Sequence, residues 1–304
     1  MALQNLLDFT GRIELMDIGA ACINETPVYR KLLDQGIAHL NAFEGDARQI
    51  EKIRATYGDR ATVYPDFLGD GNDHRLHLAH PDSGMTSLLT PDPKVLKFFN
   101  GFENFGTILG TETVQTTRLD EIAGLPAIDF IKMDIQGSEL SVLQHGTRVL
   151  RDVLALQLEV SFIALYQNQP TFGEVDVWLR AQGFLPHCFV DVKKWSIAPT
   201  KRDGNLRRPF NQLMEADIVY IRDPFQLADL SDDQLRKQAL IAHHCFASYD
   251  LCVHVMLELI RRGALAADTP QNYFDWVNRQ NPPAQPAPPH AFGRSFSTPL
   301  RPLR

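Results

Sequence analysis

Short apolar runs alternate with amphipathic segments over the first three-quarters of the chain. Several of these runs are nearly continuous, such as Ile-Asp-Phe-Ile at 128–131. Continuous apolar runs are typical of strands that helices bury on both faces. The pattern predicts strands over 13–18, 38–43, 61–67, 128–134, 153–160, 185–190 and 217–221.

The amphipathic segments between these runs have helical periodicity. Gly36, Gly58 and Gly183 follow three of them, at positions where a helix is expected to end. Strands and helices that alternate at this spacing predict an α/β fold with a parallel, doubly wound sheet. The predicted helices span 27–35, 46–57, 138–150 and 172–182.

One polar, turn-rich segment interrupts the alternation at 68–112. The runs 75–79 and 112–117 at its two sides have the character of strands that pair with each other. We therefore expect a hairpin insertion between core elements, and it is long enough to cover a site.

The pattern becomes purely helical after residue 222. Apolar residues recur at helical spacing through 231–262, and a further short helix is predicted at 269–279. The last 24 residues contain seven prolines, which favours a disordered tail. The predicted organisation is a main domain (1–224), a helical appendage (225–280) and a tail (281–304).

Composition excludes several classes of protein. The chain has 304 residues, 44% of them hydrophobic, and 30 basic against 37 acidic residues give a net charge of −7. A mostly disordered chain is excluded, and a nucleic-acid partner is disfavoured. The sequence shows neither a secretory signal nor a run of 18 apolar residues, so we expect a cytoplasmic protein without a membrane span.

The cysteines and histidines do not predict a metal site. The four cysteines form no Cys-x-x-Cys pair and are too sparse for a disulfide scaffold. Histidines cluster at 74, 77 and 80 and at 243, 244 and 254, and neither group has a zinc spacing. Core or surface positions are the expected places for them.

Candidate chemistry lies where the first two predicted strands end. Asp17 and Gly19 end the first strand, and a glycine there lets a ligand approach the backbone. Glu44 ends the second strand, where a carboxylate can accept two hydrogen bonds from a ribose. Residues 19–24 lack the further glycines of the dinucleotide fingerprint, which disfavours an NAD-dependent oxidoreductase. A nucleoside cofactor without a pyrophosphate fits better, with S-adenosylmethionine (SAM) as the main candidate, although Asp17-x-Gly19 is equally consistent with a tight strand exit.

The segment 128–146 contains the most specific motif. A buried strand delivers two polar side chains to one face, and a glycine turn and a helix follow. This motif resembles the signature of the FkbM family of SAM-dependent methyltransferases. The residues that carry the resemblance are Lys132, Asp134, Gln136, Gly137, Glu139, Leu140 and Leu143; further similar segments are 17–20, 43–44, 67–70, 83–88, 116–121, 156–160 and 215–221.

The resemblance implies a class I methyltransferase (Rossmann-like) fold, with seven strands of which the last is antiparallel. It also implies methyl transfer from SAM to a hydroxyl of a saccharide or natural-product acceptor. The chain departs from the family at 19–23, where Gly-Ala-Asn-x-Gly is usual. The alternative is therefore a catalytically inactive methyltransferase-fold module. Residues 225–280 are the candidate surface for a second copy or a protein partner.

The resemblance and the strand ends together suggest four cofactor-binding residues. Glu44 is expected to accept from the ribose, or else to be an acid favoured by the dipole at a helix N-terminus. Asp17 is expected to fix the glycine loop or the SAM amine. Gly19 and Ala20 are expected beside the cofactor backbone.

Two further candidates follow the third predicted strand. Asp66 is expected to bind the adenine amino group, or alternatively to cap the loop after Phe67. Phe67 is expected to flank the adenine, with a core position as the alternative.

The candidate catalytic residues are two carboxylates and a lysine. Asp134 is expected to orient the SAM amine or act as a base, or else to cap the following turn. Lys132 is expected to stabilise an alkoxide, or to form an ion pair with Glu159 or Glu139. Glu159 is the candidate base on the acceptor side.

A basic cluster completes the set of candidates. It comprises 193–194, 201–202 and 207–208 and is predicted to lie in a loop after the sixth strand. Such a cluster is usually a solvated face, and the alternative is contact with an anionic or saccharide acceptor.

Overall fold

The computed structural model describes residues 2–20, 26–80, 83–205 and 208–280. It divides into two compact units, Arg12–Phe225 and a second unit that combines Met1–Gly11 with Gln226–Arg304. The N-terminal residues 2–11 thus group with the C-terminal helices and not with the sheet. The predicted tail, 281–304, lies outside the described residues.

A seven-stranded sheet forms the larger unit, in the order β3-β2-β1-β7-β8-β10-β9. Strand β10 is antiparallel to both neighbours, whereas β3, β2, β1, β7 and β8 are parallel. The predicted α/β fold, with seven strands and the last one antiparallel, is therefore confirmed. Along the chain the strands are β1 (Ile13–Ile18), β2 (Ala38–Phe43), β3 (Ala61–Tyr64), β4 (Phe67–Leu68), β5 (Asp73–Leu78), β6 (Gly110–Thr117), β7 (Phe130–Met133), β8 (Ala155–Ser161), β9 (Phe184–Lys194) and β10 (Leu213–Arg222).

Local capping signals set the ends of several helices. The Asp46 side chain accepts from the Arg48 N–H (2.8 Å) at the start of α3. Thr171 and Glu174 form a capping box at the start of α7. The helices are α1 (Leu3–Leu6), α2 (Arg30–Asp34), α3 (Ala47–Tyr57), α4 (Pro93–Phe98), α5 (Phe102–Phe105), α6 (Glu139–Gln144), α7 (Phe172–Ala181), α8 (Asp232–Phe246), α9 (Tyr249–Arg261) and α10 (Thr269–Gln280).

Several predicted elements are shorter than expected: the helix predicted at 27–35 spans Arg30–Asp34, and the strand predicted at 128–134 spans Phe130–Met133. For two others, the neighbouring residues give the reason. Strand β3 ends at Tyr64, because the next residue, Pro65, has no N–H to donate to a ladder. The predicted helix 138–150 ends at Gln144, and Gly146 then packs so closely on Leu119 that a Cβ would lie 2.6 Å from the Leu119 Cδ2. That close approach favours a turn at this point of the chain.

The hairpin insertion is confirmed. Strands β5 and β6 pair antiparallel, with Asp73 opposite Gln115 and Leu78 opposite Gly110. The short strand β4 adds to β6, so the insertion has its own small sheet in the order β4-β6-β5.

The helical repeat at 231–262 forms two helices, α8 and α9. Ala247 adopts a left-handed conformation (φ 52°) and ends α8. Its N–H donates to the His243 carbonyl (3.2 Å), and the Ser248 N–H donates to the Ala242 carbonyl (2.9 Å). These two bonds satisfy the last carbonyls of the helix and turn the chain. Within the residues described, none of the helices is both long and apolar enough to cross a membrane.

Arg222 anchors the end of β10 to the loops around it. Its guanidinium donates to the carbonyls of Leu150, Val153 (2.9 Å) and Gln182 (3.1 Å) and lies 4.0 Å from the centre of the Phe184 ring. One side chain thus satisfies carbonyl groups from two connections, the one that precedes β8 and the one that follows α7.

We expect Arg222→Ala to lower the free energy of unfolding by about 2–4 kcal/mol, because several half-buried carbonyls lose their donor. Urea denaturation followed by circular dichroism measures this change. Arg180→Ala is the matched control, since Arg180 forms an exposed ion pair with Asp176. Equal stability losses in the two variants would contradict the anchoring role of Arg222.

Candidate functional site

The carboxyl ends of four parallel strands lie side by side at one edge of the sheet. Ile18 is opposite both Phe43 and Met133, and Phe43 is opposite Tyr64. Adjacent strands are about 4.8 Å apart. The residues that follow these strand ends therefore lie close together, and they include Gly19, Glu44 and Asp134.

Gly19 permits a close contact between the ends of β1 and β7. It has φ +78°, and a Cβ there would overlap the carbonyl oxygen of Asp134. The N–H groups of Gly19 and Ala20 donate to the Phe43 carbonyl at 3.1 and 3.3 Å. The chain itself thus uses the N–H groups of Gly19 and Ala20, the two residues that are predicted beside the cofactor backbone. Residues 21–25, which hold most of the departure from the family's glycine loop, lie outside the described residues.

Glu44 and Phe67 are neighbours at the end of β2. The Glu44 Oε1 accepts from the Asp46 N–H (2.8 Å), and burial raises the pKa of this carboxyl. The Phe67 ring covers Gly45, where a Cβ would overlap it. A carboxylate beside an aromatic ring, at a strand end, can hold a ribose and its base.

Asp66, the residue before this ring, is half-buried. Its Oδ1 lies 3.4 Å from the hydroxyl of Thr117, which donates to it. The Asp66 side chain is therefore held between the end of β3 and the small sheet of the insertion.

Asp17 lies inside the sheet edge and is only 4% exposed. It accepts from the Tyr29 hydroxyl, and its Oδ1 lies 3.6 Å from the Lys132 Nζ. The predicted ion pair of Lys132 with Glu159 or Glu139 is wrong, because Lys132 stands directly opposite Asp17 in the register of β1 and β7. The charge of Asp17 raises the pKa of Lys132.

Gln136 joins the two candidate carboxylates, a role that was not predicted. Its Nε2 donates to the Asp134 Oδ1 (2.9 Å) and to the Glu159 Oε2 (2.8 Å). Its Oε1 accepts from the Tyr166 hydroxyl (3.0 Å). Its backbone has φ +55°, and its carbonyl accepts from the Ser87 hydroxyl (2.7 Å). Gln136 belongs to the motif at 128–146 together with Asp134, but its other three partners lie at least 23 residues away along the chain, so local spacing gives no sign of this role.

Glu159 also pairs with Lys193. The Lys193 Nζ lies 3.0 Å from the Glu159 Oε1 and 2.8 Å from the Glu215 Oε1. Burial, Asp134 and Glu215 raise the pKa of Glu159. Burial alone would lower the pKa of Lys193, but Glu159 and Glu215 outweigh it and raise that pKa.

Two lysines of the predicted basic loop lie in a strand instead. Strand β9 continues to Lys194, which is opposite Leu213 of β10. The pairing of β9 with β10 therefore extends further than the apolar run at 185–190 indicated. As a result, Lys193 is held against the carboxylates and does not belong to a solvated loop.

Glu139 holds the turn that carries Gln136. Its Oε1 accepts from the N–H groups of Ile135 (2.9 Å) and Gly137 (3.2 Å). Burial raises the pKa of Glu139 to about 7. Glu139, the acid of the motif, therefore stabilises the turn that precedes α6.

Two of the clustered histidines have partners within the hairpin insertion. The His74 Nε2 lies 2.7 Å from the Asp70 Oδ1, and the His77 Nε2 lies 3.1 Å from the Thr90 hydroxyl. In the part of the chain that the structure describes, no three His, Cys, Asp or Glu side chains are grouped as a metal site.

Comparisons with known proteins identify a family. Residues 17–186 match the Methyltransferase FkbM domain. The 2-O-methyltransferase NoeI of Sinorhizobium fredii is 29% identical over 168 residues, which are 51% of this chain and 66% of that relative. The match thus spans just under two thirds of the relative's length.

Solved structures were also compared. Magnesium protoporphyrin IX methyltransferase from Synechocystis PCC 6803 is 10% identical with a TM-score of 0.35, and the match covers 72% of this chain and 76% of that one. The Methanococcus jannaschii fibrillarin pre-rRNA processing protein is 14% identical with a TM-score of 0.36, and the match covers 70% and 67%.

We expect Gly19→Ala to destabilise the protein by more than about 3 kcal/mol, because a Cβ meets the Asp134 carbonyl in addition to the strain of a positive φ. Gly36→Ala is the matched control: Gly36 also has a positive φ (+69°), but a Cβ there meets open space. Its expected cost is about 1 kcal/mol. Thermal unfolding of both variants measures the difference, and equal costs would contradict the close contact.

Glu139 generates a pH-dependent prediction. A carboxyl whose pKa is about 7 when folded and 4.5 in its ordinary state disfavours the folded protein as pH rises between those values. Glu139→Gln removes this titration. The stability of the native protein relative to Glu139→Gln should fall by about 3 kcal/mol between pH 4.5 and 7. Urea denaturation of both proteins at several pH values measures this change. If the difference in stability did not vary with pH, the pKa of Glu139 would be that of an ordinary carboxyl.

Proposed function

Because the chain belongs to the FkbM methyltransferase family, we propose that it transfers a methyl group from SAM to a hydroxyl oxygen. The proposed acceptor is a saccharide or a natural product. The main support is the juxtaposition of Glu44, Gly19 and Asp134 at one edge of the sheet. The name of the 2-O-methyltransferase relative supports oxygen as the atom that is methylated.

The residues at the end of β2 fit a nucleoside. The Glu44 Oε1 is held by the Asp46 N–H, which orients the carboxylate and leaves Oε2 for a ribose hydroxyl. The Phe67 ring lies next to it, over Gly45, in a position to flank the adenine. Asp66 is the proposed partner of the adenine amino group. When bound, SAM supplies a methyl group on a positively charged sulfur.

Asp134 has the geometry of an oriented hydrogen-bond acceptor. Gln136 holds its Oδ1, and its Oδ2 accepts no hydrogen bond from any residue that the structure describes. This second oxygen can accept from the cofactor amine or from the hydroxyl that is methylated. We therefore propose that Asp134 accepts a hydrogen bond from the cofactor or from the substrate hydroxyl.

In this proposal Glu159 and Lys132 hold neighbouring side chains in place and do not exchange protons with the substrate. Both Glu159 oxygens already accept, one from Gln136 and one from Lys193, so Glu159 keeps those two donors in place. Lys132 neutralises Asp17 across the strands. Methyl transfer depends mainly on holding the nucleophile in line with the methyl carbon, so one strong base is not required.

We expect Glu44→Ala to weaken SAM binding by about 2–4 kcal/mol, because the ribose loses a charge-assisted hydrogen bond. Equilibrium dialysis with labelled SAM measures the Kd. Ser231→Ala is the matched control, since Ser231 caps α8 in the other unit and its loss should affect stability and not SAM affinity. An unchanged Kd in Glu44→Ala would remove Glu44 from the cofactor site.

A further inference from the structure

An open cavity of about 620 Å³ lies at the ends of β8 and β9. Its volume is in the range of small-molecule sites, and it is larger than one sugar ring requires. Its lining residues are Phe162, Ile163, Trp195, Ile197, Thr200, Phe210, Asn211, Gln212 and Leu213.

The cavity adjoins the cluster formed by Glu159, Lys193 and Glu215. The wall residues adjoin the strands that carry these three side chains: Trp195 lies just after β9, two residues beyond Lys193, and Leu213 is the first residue of β10, two residues before Glu215. In the sheet order, β8 is three strands from β2, which is about 14 Å. The cavity is therefore separate from the position proposed for the nucleoside at Glu44. It lies on the β9 side of the sheet, where an acceptor can bind beside the cofactor.

Buried hydrogen bonds hold one wall of the cavity in place. Asn100 is buried, and its Nδ2 donates to the carbonyls of Ile197 (3.3 Å) and Thr200 (2.6 Å). The Trp195 Nε1 donates to the Asn100 carbonyl (2.8 Å), and the Trp195 ring packs edge-on against Phe102. The wall is thus largely formed before a ligand binds, which lowers the entropic cost of binding.

The lining combines apolar walls with a few polar groups. Ile197 and Phe210 are 41% and 42% exposed, so a ligand would cover apolar surface that water now contacts. The Arg202 guanidinium lies 4.3 Å from the centre of the Phe210 ring. Aromatic rings pack well on the C–H faces of a sugar, and amide and hydroxyl groups such as those of Asn211, Gln212 and Thr200 bond its hydroxyls.

We propose that this cavity binds the acceptor and that the acceptor is a glycoside with an apolar substituent. Only the identification of the ligand as the methyl acceptor rests on the proposed function; binding of a glycoside in the cavity does not. The aromatic and aliphatic walls take the apolar substituent and one face of the sugar. The sugar hydroxyls face the polar groups and the side of the cavity nearest Lys193.

Calorimetric titration without SAM tests the proposal. The probes are octyl β-D-glucopyranoside, octyl β-D-galactopyranoside and octyl α-D-mannopyranoside, each below its micellar concentration, with 1-octanol and the free sugars as comparisons. We expect saturable 1:1 binding of at least one glycoside, at least tenfold tighter than octanol or its free sugar. Absence of saturable binding by all three, or equal binding of octanol, would overturn the proposal.

Variants of exposed wall residues locate the binding. Phe210→Ala and Ile197→Ser should each weaken glycoside binding at least tenfold. Both side chains are partly exposed, so we expect the variants to fold, and circular dichroism checks this. Phe225→Ala is the matched control, because Phe225 is 87% exposed and does not line the cavity. Equal affinities in all three variants would overturn the proposal. Since SAM is absent, failure of SAM binding would reject the proposed function without altering this result.

Discussion

Buried carboxylates crowd the edge of the sheet, and each needs a donor because an unpaired charge away from water is very costly. Few donors serve them: the Gln136 amide joins Asp134 to Glu159, and Lys193 joins Glu159 to Glu215. The backbone N–H groups of Ile135 and Gly137 donate to Glu139. The buried carboxylates are Asp17, Glu139, Glu159 and Glu215, and Asp134 beside them is half-buried.

This requirement couples the fold to the site. The donors that satisfy the charges come from different elements, so their hydrogen bonds also fix how β7, β8 and β9 end and how β10 begins. Removing one partner leaves a buried charge unpaired, which costs more than the hydrogen bond itself contributes. The orientation of Asp134 therefore depends on Gln136 and, through it, on Tyr166. A static network of this kind suits methyl transfer, in which position matters more than proton movement.

Much of the fold could be predicted because its causes are local or topological. Continuous apolar runs identified β1 and β2, and parallel strands bring their carboxyl ends to one edge, which placed Glu44 and Asp134 together. The contacts of Gln136 with Tyr166 could not be predicted, because 30 residues separate the partners. Lys193 was assigned to a loop because the apolar run ends before it, whereas pairing with β10 extends the strand. The roles of Glu44, Asp66 and Phe67 toward a cofactor stay predictions.

The central claim is that this edge of the sheet binds SAM. Calorimetric titration of the purified, cofactor-free chain with SAM and S-adenosylhomocysteine, with NAD as the control ligand, tests it most directly. We expect micromolar binding of both adenosyl ligands and no binding of NAD, because the sequence at 19–24 lacks the further glycines of the dinucleotide fingerprint. If a folded sample bound neither adenosyl ligand, the account would be contradicted, and the chain would be a methyltransferase fold without the cofactor site proposed for it.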